Sequence, residues 1–407
     1  MAIHVVNEAK RCLNCKNPQC VKGCPINTPI PKMIETLLQG HINAAGEMLF
    51  NNNPLSLVCS LVCDHEKQCE GHCILGKKGM PVHISSIENY ISDNYFAKLD
   101  HQPVVKNGIK AAIIGSGPAG ITIAVLLAQK GYEITIFESR DKIGGVLRYG
   151  IPEFRLPKVI LDRYKRLLLD RGIKIRPNTT IGGALSIDDL FRDGYKAIFI
   201  GTGVWRPNSL RIKGESLGHV HYAIDYLTNP DSYELGQRVI IIGAGNAAID
   251  VARTALRKGV GQVTMFARRG QASASQREVE YAKIDGVEFV YFKASIEIQD
   301  DGVVFVDMAC DESTGKLKEV PNSQRLYEAD SVIIAISQGP KNKIVSTTEG
   351  IAVTEEGLLA TDEMGRASRE GIFGSGDVVA GARTVVEAAA YSKKVAEAMD
   401  EYMQQQN

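Results

Sequence analysis

The chain has 407 residues, 44% apolar and 23% charged, which suits two or three globular domains with their own cores. Lys plus Arg and Asp plus Glu balance at 47 each, so no bulk field draws the chain to nucleic acid or an anionic membrane. The opening MAIHVVNEAKRC lacks the apolar run of a secretory signal, and nowhere do eighteen uncharged apolar residues follow one another; a cytoplasmic protein is expected.

Eight of the nine cysteines lie in the first 73 residues. They fall into two sets, C-x2-C-x4-C-x3-C-P from Cys12 to Pro25 and C-x3-C-x5-C-x3-C from Cys59 to Cys73. A disulfide framework belongs to small secreted domains, so metal binding is favoured. Two four-cysteine zinc sites would use the same eight thiols. Zinc knuckles prefer paired C-x2-C hairpins, however, and the first set resembles the ferredoxin run in which the Cys before Pro serves a second cluster, so iron–sulfur ligation is the stronger reading.

Around these cysteines helices are predicted in TPIPKMIETLLQG, HINAAGEMLFNNNP and ISSIENYISDNYFAKL. In the third, Ile84, Ile87 and Ile91 form an apolar face that also carries Glu88. An ionised carboxylate buried there without a partner costs several kcal/mol, so it should be neutral, metal-bound or paired with Lys67 or Lys77. The segment DHQPVVKNG (100–108) reads as a linker.

From Ile109 onward, apolar strands, glycine turns and amphipathic helices alternate as in a parallel α/β sheet. The plan occurs twice. Gly115-x-Gly117-Pro118-Ala119-Gly120 follows the strand AAII, and Glu138 ends the next strand, where a carboxylate can accept from ribose hydroxyls. Gly243-x-Gly245-Asn246-Ala247-Ala248 opens the second unit, whose next strand ends in Arg268 and Arg269 instead of an acid. Two guanidinium groups suit the 2′-phosphate of NADP(H), although a solvated basic turn would look the same. The closing GIFGSGD sets Gly376 and Asp377 before a helix starting near Arg383 and Thr384; this carboxylate can hold the ribityl hydroxyls of a flavin, cap the helix, or do both.

The motifs GSGPAG, KIGGVLRYGIPEFRLPK, GTGVWRP, GAGNAAIDVARTAL and GIFGSGD behind a cysteine-rich head resemble the small (beta) subunit of glutamate synthase over residues 10 to 400. The same module is similar to the amino-terminal half of dihydropyrimidine dehydrogenase and to the large subunit of NADH-dependent ferredoxin:NADP oxidoreductase. The resemblance implies a helical domain with two [4Fe–4S] clusters over 1–100. After it would come an FAD domain over 108–213 and 341–407, and an NADPH domain over 214–340, in the two-Rossmann arrangement of disulfide reductases. It places FAD on Gly115, Gly117, Pro118, Ala119, Gly120, Glu138, Gly145, Gly376, Asp377 and Thr384, and NADPH on Gly243, Gly245, Asn246, Ala247, Arg268 and Arg269. It gives Cys12, Cys15, Cys20 and Cys73 to one cluster and Cys24, Cys63, Cys69 and Glu88 to the other, with Cys59 nearby and unbound.

The function implied is an electron-transfer flavoprotein subunit, with chemistry borne by cofactors rather than by a catalytic side chain. Its partner would be a larger oxidoreductase subunit or a ferredoxin, in a hetero-oligomer. A stand-alone or bifurcating NAD(P)H:ferredoxin oxidoreductase and a dihydropyrimidine dehydrogenase-like small subunit are the alternatives. Two stretches depart from the family pattern: QASAS at 271–275 stands in place of an acidic Met-Pro segment, and ISQGPKNK at 336–343 in place of G-Q-x-P-N. No C-x-x-C accompanies the second nucleotide unit, which leaves no thiol–disulfide chemistry there. Cys310, in a DMACDES turn, reads as inert, and His219 and His221 read as structural.

Overall fold

The computed structural model describes residues 2–98, 104–311, 316–341 and 343–406; most of the first half of the expected linker and part of the DMACDES stretch lie outside the described residues. The chain forms two compact units. One comprises Met1–Leu147, Glu153–Val204 and Pro340–Asn407, the other Arg148–Pro152 and Trp205–Gly339.

The first unit begins with helices. The three runs foreseen appear as Ile30–Leu38, Ile42–Asn52 and Ile84–Lys98, the first with proline in its opening turn. Two more, Ala2–Ala9 and Ser56–Val62, were not marked by periodicity because each is too short to show a repeat. Ile30, Met33, Ile34, Leu49, Ile84, Ile87 and Ile91 make the core of this head, and Cys12, Cys20 and Cys73 pack against it. The thiols therefore sit on a rigid apolar floor.

Behind the head lies a five-stranded parallel sheet in the order Ile372–Gly374, Tyr195–Ile200, Lys110–Ile114, Glu133–Phe137, Lys174–Arg176. Past their first residues, Lys110 and Glu133, the strands on either side of the glycine turn are buried and almost wholly apolar, as covering on both faces requires. Ile372–Gly374 joins this sheet from the far end of the chain, and the long helix Val385–Gln405 packs on Pro118–Gln129. The Lys130 ammonium and the Tyr132 hydroxyl both reach Asp400 on that helix, the hydroxyl at 2.5 Å. The head is tied to the same unit: Tyr164 Oη donates to the Pro54 carbonyl (2.8 Å), its ring lies 4.6 Å from Phe96, and Lys393 Nζ donates to Asn52 Oδ1 (2.9 Å).

The second unit holds another five-stranded parallel sheet, ordered Val220–Tyr222, Ser331–Ile334, Arg238–Ile242, Gln262–Ala267, Glu288–Tyr291. A smaller antiparallel sheet built on Lys293–Gln299 and Gly302–Cys310 completes it. Cys310 is thus the last residue of a strand, paired with Leu317, rather than part of a turn. The helical head followed by two Rossmann-type sheets is the fold class the motifs imply. Among the described residues no helix is long and apolar enough to cross a membrane.

Candidate cofactor sites

Cys12, Cys15, Cys20 and Cys73 line one pocket together with Ile30, Ile34 and Ile84 from the apolar floor. Three come from the N-terminal run; the fourth is delivered by the loop before the short helix Ile74–Lys77, 53 positions after Cys20. Burial pushes the Cys12 and Cys20 thiols up, Cys20 to about 11, and repulsion from Cys73 and Cys15 adds to it. Thiols that resist ionisation together are relieved by a group that brings positive charge among them. These four thiols surround a common space, which suits the four ligands of a cubane cluster.

The second set converges on the helix Ile84–Lys98. Glu88 is 6% exposed between Ile84, Ile87 and Ile91. Neither candidate lysine meets it, since Lys67 pairs with Asp64 (3.4 Å) and Lys77 is exposed. Burial, then repulsion from Glu70, raises the Glu88 carboxyl to about 8. Cys63 is pushed well up by a hydrogen bond with Cys59, by burial, and by the charges of Glu88 and Cys69. Cys69 is raised by burial and by Glu88, Glu70 and Cys24. Cys24, Cys63, Cys69 and Glu88 are therefore electrostatic neighbours. Cys59 is 3% exposed and spends its contacts on Cys63 and on Asn53, whose Nδ2 donates to its sulfur at 3.3 Å. Asn53 was not foreseen, because its sequence context NNNP reads only as a helix stop.

The two glycine turns repeat one geometry. Gly115 has φ +100°, and a Cβ on it would stand 2.5 Å from the Gly201 carbonyl oxygen; a Cβ on Gly120 would stand 2.0 Å from the Gly115 oxygen. These glycines serve the turn and the packing of the helix Pro118–Gln129. Gly117 is different: its φ is −71°, and a Cβ there would meet nothing closer than Gly145 Cα at 3.9 Å. In the second unit Gly243 has φ +126° and no room beside the Ala335 oxygen at 2.3 Å, whereas a Cβ on Gly245 would meet only Ser273 Oγ at 3.6 Å. In both turns the middle glycine keeps clear a space at a helix N-terminus that the protein itself leaves open. Free N–H groups there favour a pyrophosphate.

Glu138 is 5% exposed and its carboxylate is already well supplied. Oε2 accepts from Ser116 N (3.0 Å) and Ser116 Oγ (2.5 Å), Oε1 from Arg140 N (2.8 Å) and Ser139 Oγ (3.3 Å). A ribose hydroxyl bonded to Glu138 would displace one of these, the long Ser139 bond most readily. Gly145 packs against the glycine loop, where a Cβ would approach Gly117 Cα to 2.8 Å. From the far end of the chain Gly376 (φ +75°) arrives against Ala119, whose Cβ a Cβ on Gly376 would approach to 3.0 Å. Asp377 follows, lining a pocket with Arg383, Glu387 and Tyr391. Its Oδ1 accepts from Arg383 N (3.2 Å), and burial raises its carboxyl to about 6. It does not cap the long helix. That task falls to Thr384, whose hydroxyl donates to Glu387 Oε2 (2.6 Å) and accepts from Glu387 N (3.4 Å), so the Thr384 side chain is spent on the cap.

In the second unit Arg268 and Arg269 follow Gln262–Ala267 directly, are exposed, and form no ion pair among the described residues. Asn246 and Ala247 begin the helix Asn246–Arg257 and are exposed beside Gly245. The 271–275 stretch folds back onto this turn: Ser273 N and Ala274 N donate to the Ala244 oxygen (2.9 and 3.1 Å), and Ser275 N donates to Asn246 Oδ1 (3.1 Å). Nothing in QASAS itself signals this strap, because backbone amides make most of it.

Residues 2–99 match the family model described as dihydropyrimidine dehydrogenase domain II, 4Fe-4S cluster, and residues 109–394 match pyridine nucleotide-disulphide oxidoreductase. The chain is 33% identical to the glutamate synthase [NADPH] small chain of Halomonas elongata, over 97% of this chain and 90% of that one. To the Escherichia coli small chain it is 31% identical, over 98% and 91%. It is 30% identical to the NAD-dependent dihydropyrimidine dehydrogenase subunit PreT of Salmonella typhimurium, over 98% and 94%. Among solved structures, FprA of Mycobacterium tuberculosis in complex with NADPH superposes with a TM-score of 0.63 at 18% identity, over 75% of this chain and 85% of that one, a likeness of fold.

Proposed function

The chain belongs to the family of glutamate synthase small chains, and from that membership we propose that it is the subunit that passes electrons between NADPH, FAD and two [4Fe–4S] clusters, to or from a larger oxidoreductase subunit. The observation that carries this reading is the pair of middle glycines, Gly117 and Gly245, each holding open a cradle that a Cβ would fill. When bound, the flavin exchanges a hydride with the nicotinamide and the clusters carry electrons singly.

The chain's own contribution is to hold and to tune. Gly115, Gly117, Pro118, Ala119 and Gly120 present a helix N-terminus to the FAD pyrophosphate, Glu138 and Asp377 offer carboxylates to its hydroxyls, and Gly145 and Gly376 let backbone approach. Gly243, Gly245, Asn246 and Ala247 do the same for NADPH, with Arg268 and Arg269 on its phosphate. Cys12, Cys15, Cys20 and Cys73 would hold one cluster, and Cys24, Cys63, Cys69 and Glu88 the other. The PreT relative supports a dihydropyrimidine dehydrogenase-like subunit as the second reading; the large polypeptide that co-purifies with the native protein separates the two.

Anaerobic purification tests the core of the proposal. A brown protein with flavin and cluster absorption that NADPH bleaches is expected. Colourless protein that binds zinc, and no flavin, would overturn it.

Asp377 gives a test of the closing segment. Asp377→Ala is expected to release FAD or weaken it at least tenfold while NADPH affinity stays nearly constant, measured by flavin retention on gel filtration and by nucleotide titration. Tight FAD in the variant would make Asp377 only a partner of the Arg383 amide. The apoprotein should also show its raised carboxyl. A folded pKa of about 6 against an ordinary 3.8 means the folded state holds the proton more tightly, so this group's contribution is full below pH 4 and lost as pH rises to about 6. Asp377→Asn should therefore stabilise apoprotein above pH 6, by about 1–3 kcal/mol, with little effect at pH 4. Thermal melts at the two pH values check it.

A further inference from the structure

The two segments that build the first thiol pocket, residues 10–24 and 73–84, contain Lys10, Arg11, Lys16, Lys22, Lys77 and Lys78 and no Asp or Glu, in a chain of zero net charge. Arg11 is committed: it pairs with Glu8 (2.5 Å) and donates to the carbonyls of Pro81 (3.0 Å) and Met80 (2.5 Å), pinning the second segment to the first. The five lysines are exposed, and none forms an ion pair among the described residues. The same two segments expose three large apolar side chains: Leu13 at 60% exposure, Ile74 at 50% and Met80 at 64%. Leu13 and Ile74 also line the mouth of the pocket that holds Cys12, Cys15, Cys20 and Cys73.

Lysines alone could serve to offset the negative charge of thiolate ligands. That purpose leaves the exposed apolar side chains unexplained. Exposed apolar side chains on segments that carry charge of one sign suit a transient protein interface, in which the charges steer and the apolar groups desolvate. We propose that this rim is the docking surface for an electron-transfer protein whose own exit face carries Asp and Glu around an apolar centre. The proposal rests on the function read above and names the chemistry of the partner. Electrons cross here singly: two reduced one-electron centres of the acidic protein are oxidised as one NADP⁺ takes up a proton and becomes NADPH, or the reverse.

The probe is an acidic clostridial-type 2[4Fe–4S] ferredoxin, reduced by dithionite, and the protein is the holoenzyme with Lys16, Lys77 and Lys78 changed to Glu. At low ionic strength the variant is expected to make NADPH from reduced ferredoxin at least about tenfold more slowly than wild type, and only wild type should slow steeply as salt is added. NADPH oxidation by menadione, a neutral acceptor served by the flavin, should not change. Should the Glu variant lose iron, the Gln variant of the same lysines carries the comparison. Equal ferredoxin rates and equal salt dependence in variant and wild type overturn the proposal, as does lysine-dependent binding to phosphatidylglycerol vesicles without lysine-dependent ferredoxin turnover. If wild-type holoenzyme lacks NADPH–menadione activity, the functional reading has failed on its own. Calorimetric titration with oxidised ferredoxin then still decides the surface: lysine-dependent binding upholds it, and none overturns it.

Discussion

If the protein holds the two clusters proposed above, replacing Glu88 with Ala is expected to cost one of them, taking iron from about eight to about four atoms per chain. Glu88 is buried on an apolar helix face, shows no ion pair among the described residues, and has Cys63 and Cys69 as electrostatic neighbours. An unpaired buried carboxylate is retained at a cost of several kcal/mol unless something binds it, and a metal cluster short of a fourth thiolate would do so. Cys59, engaged with Asn53 and Cys63, should be dispensable for iron. Cys59→Ser is therefore expected to keep both clusters, with at most a shifted potential for the second, because it loses a contact to a ligand and not a ligand. An oxygen donor should also set this cluster's potential apart from an all-thiolate one. Iron analysis and EPR of the two variants decide the matter. Full iron and unchanged spectra in Glu88→Ala, with a cluster missing from Cys59→Ser, would mean that eight thiolates are the ligands.

Replacing Arg268 and Arg269 together with Ala should raise the KM for NADPH tenfold or more and leave NADH kinetics almost unmoved. A charge-assisted hydrogen bond to a phosphate is worth roughly 1.5–3 kcal/mol, and ten- to hundredfold follows from one such contact. Both side chains are exposed and unpaired within the described residues, so their loss removes no internal ion pair and should not perturb the fold. Equal NADPH kinetics in the double variant would reduce the pair to a solvated turn. It would also favour the second reading, since the PreT relative is described as NAD-dependent.

The parts of the sites that spacing reveals are those where backbone geometry forces the residue. Gly115 and Gly243 have no alternative beside a neighbouring carbonyl, and a strand, a turn and a helix around them can be recognised from periodicity. The cysteine runs are legible for a similar reason, since a thiolate has few other uses at such density. What stays hidden is supplied by chain segments that meet only after folding. Ser116 holding Glu138, the 271–275 strap on Ala244, and Asn53 on Cys59 use short polar groups or plain amides whose local sequence does not announce the partner. Thr384 shows a role that its own position does not announce: its hydroxyl caps the long helix through Glu387, three places later. Glu88 was legible because a single charge on an apolar stripe is an energetic anomaly, which no amount of loop variation disguises.

The closing strand Ile372–Gly374 and the helix Val385–Gln405 give the molecule an order of birth. Tyr132 finds Asp400 across 268 positions, and the first sheet lacks its edge strand until Ile372–Gly374 has been made. The second unit, bounded by Trp205 and Gly339 apart from a five-residue excursion, is complete while the first still waits. At about 5–20 residues per second, that wait lasts on the order of tens of seconds, with apolar strands such as Lys110–Ile114 already outside the ribosome. Pairings so distant in sequence also form slowly once the chain is released. The sheet behind the head thus starts before the second unit and closes after it, which makes the nascent first unit the natural client of chaperones during synthesis.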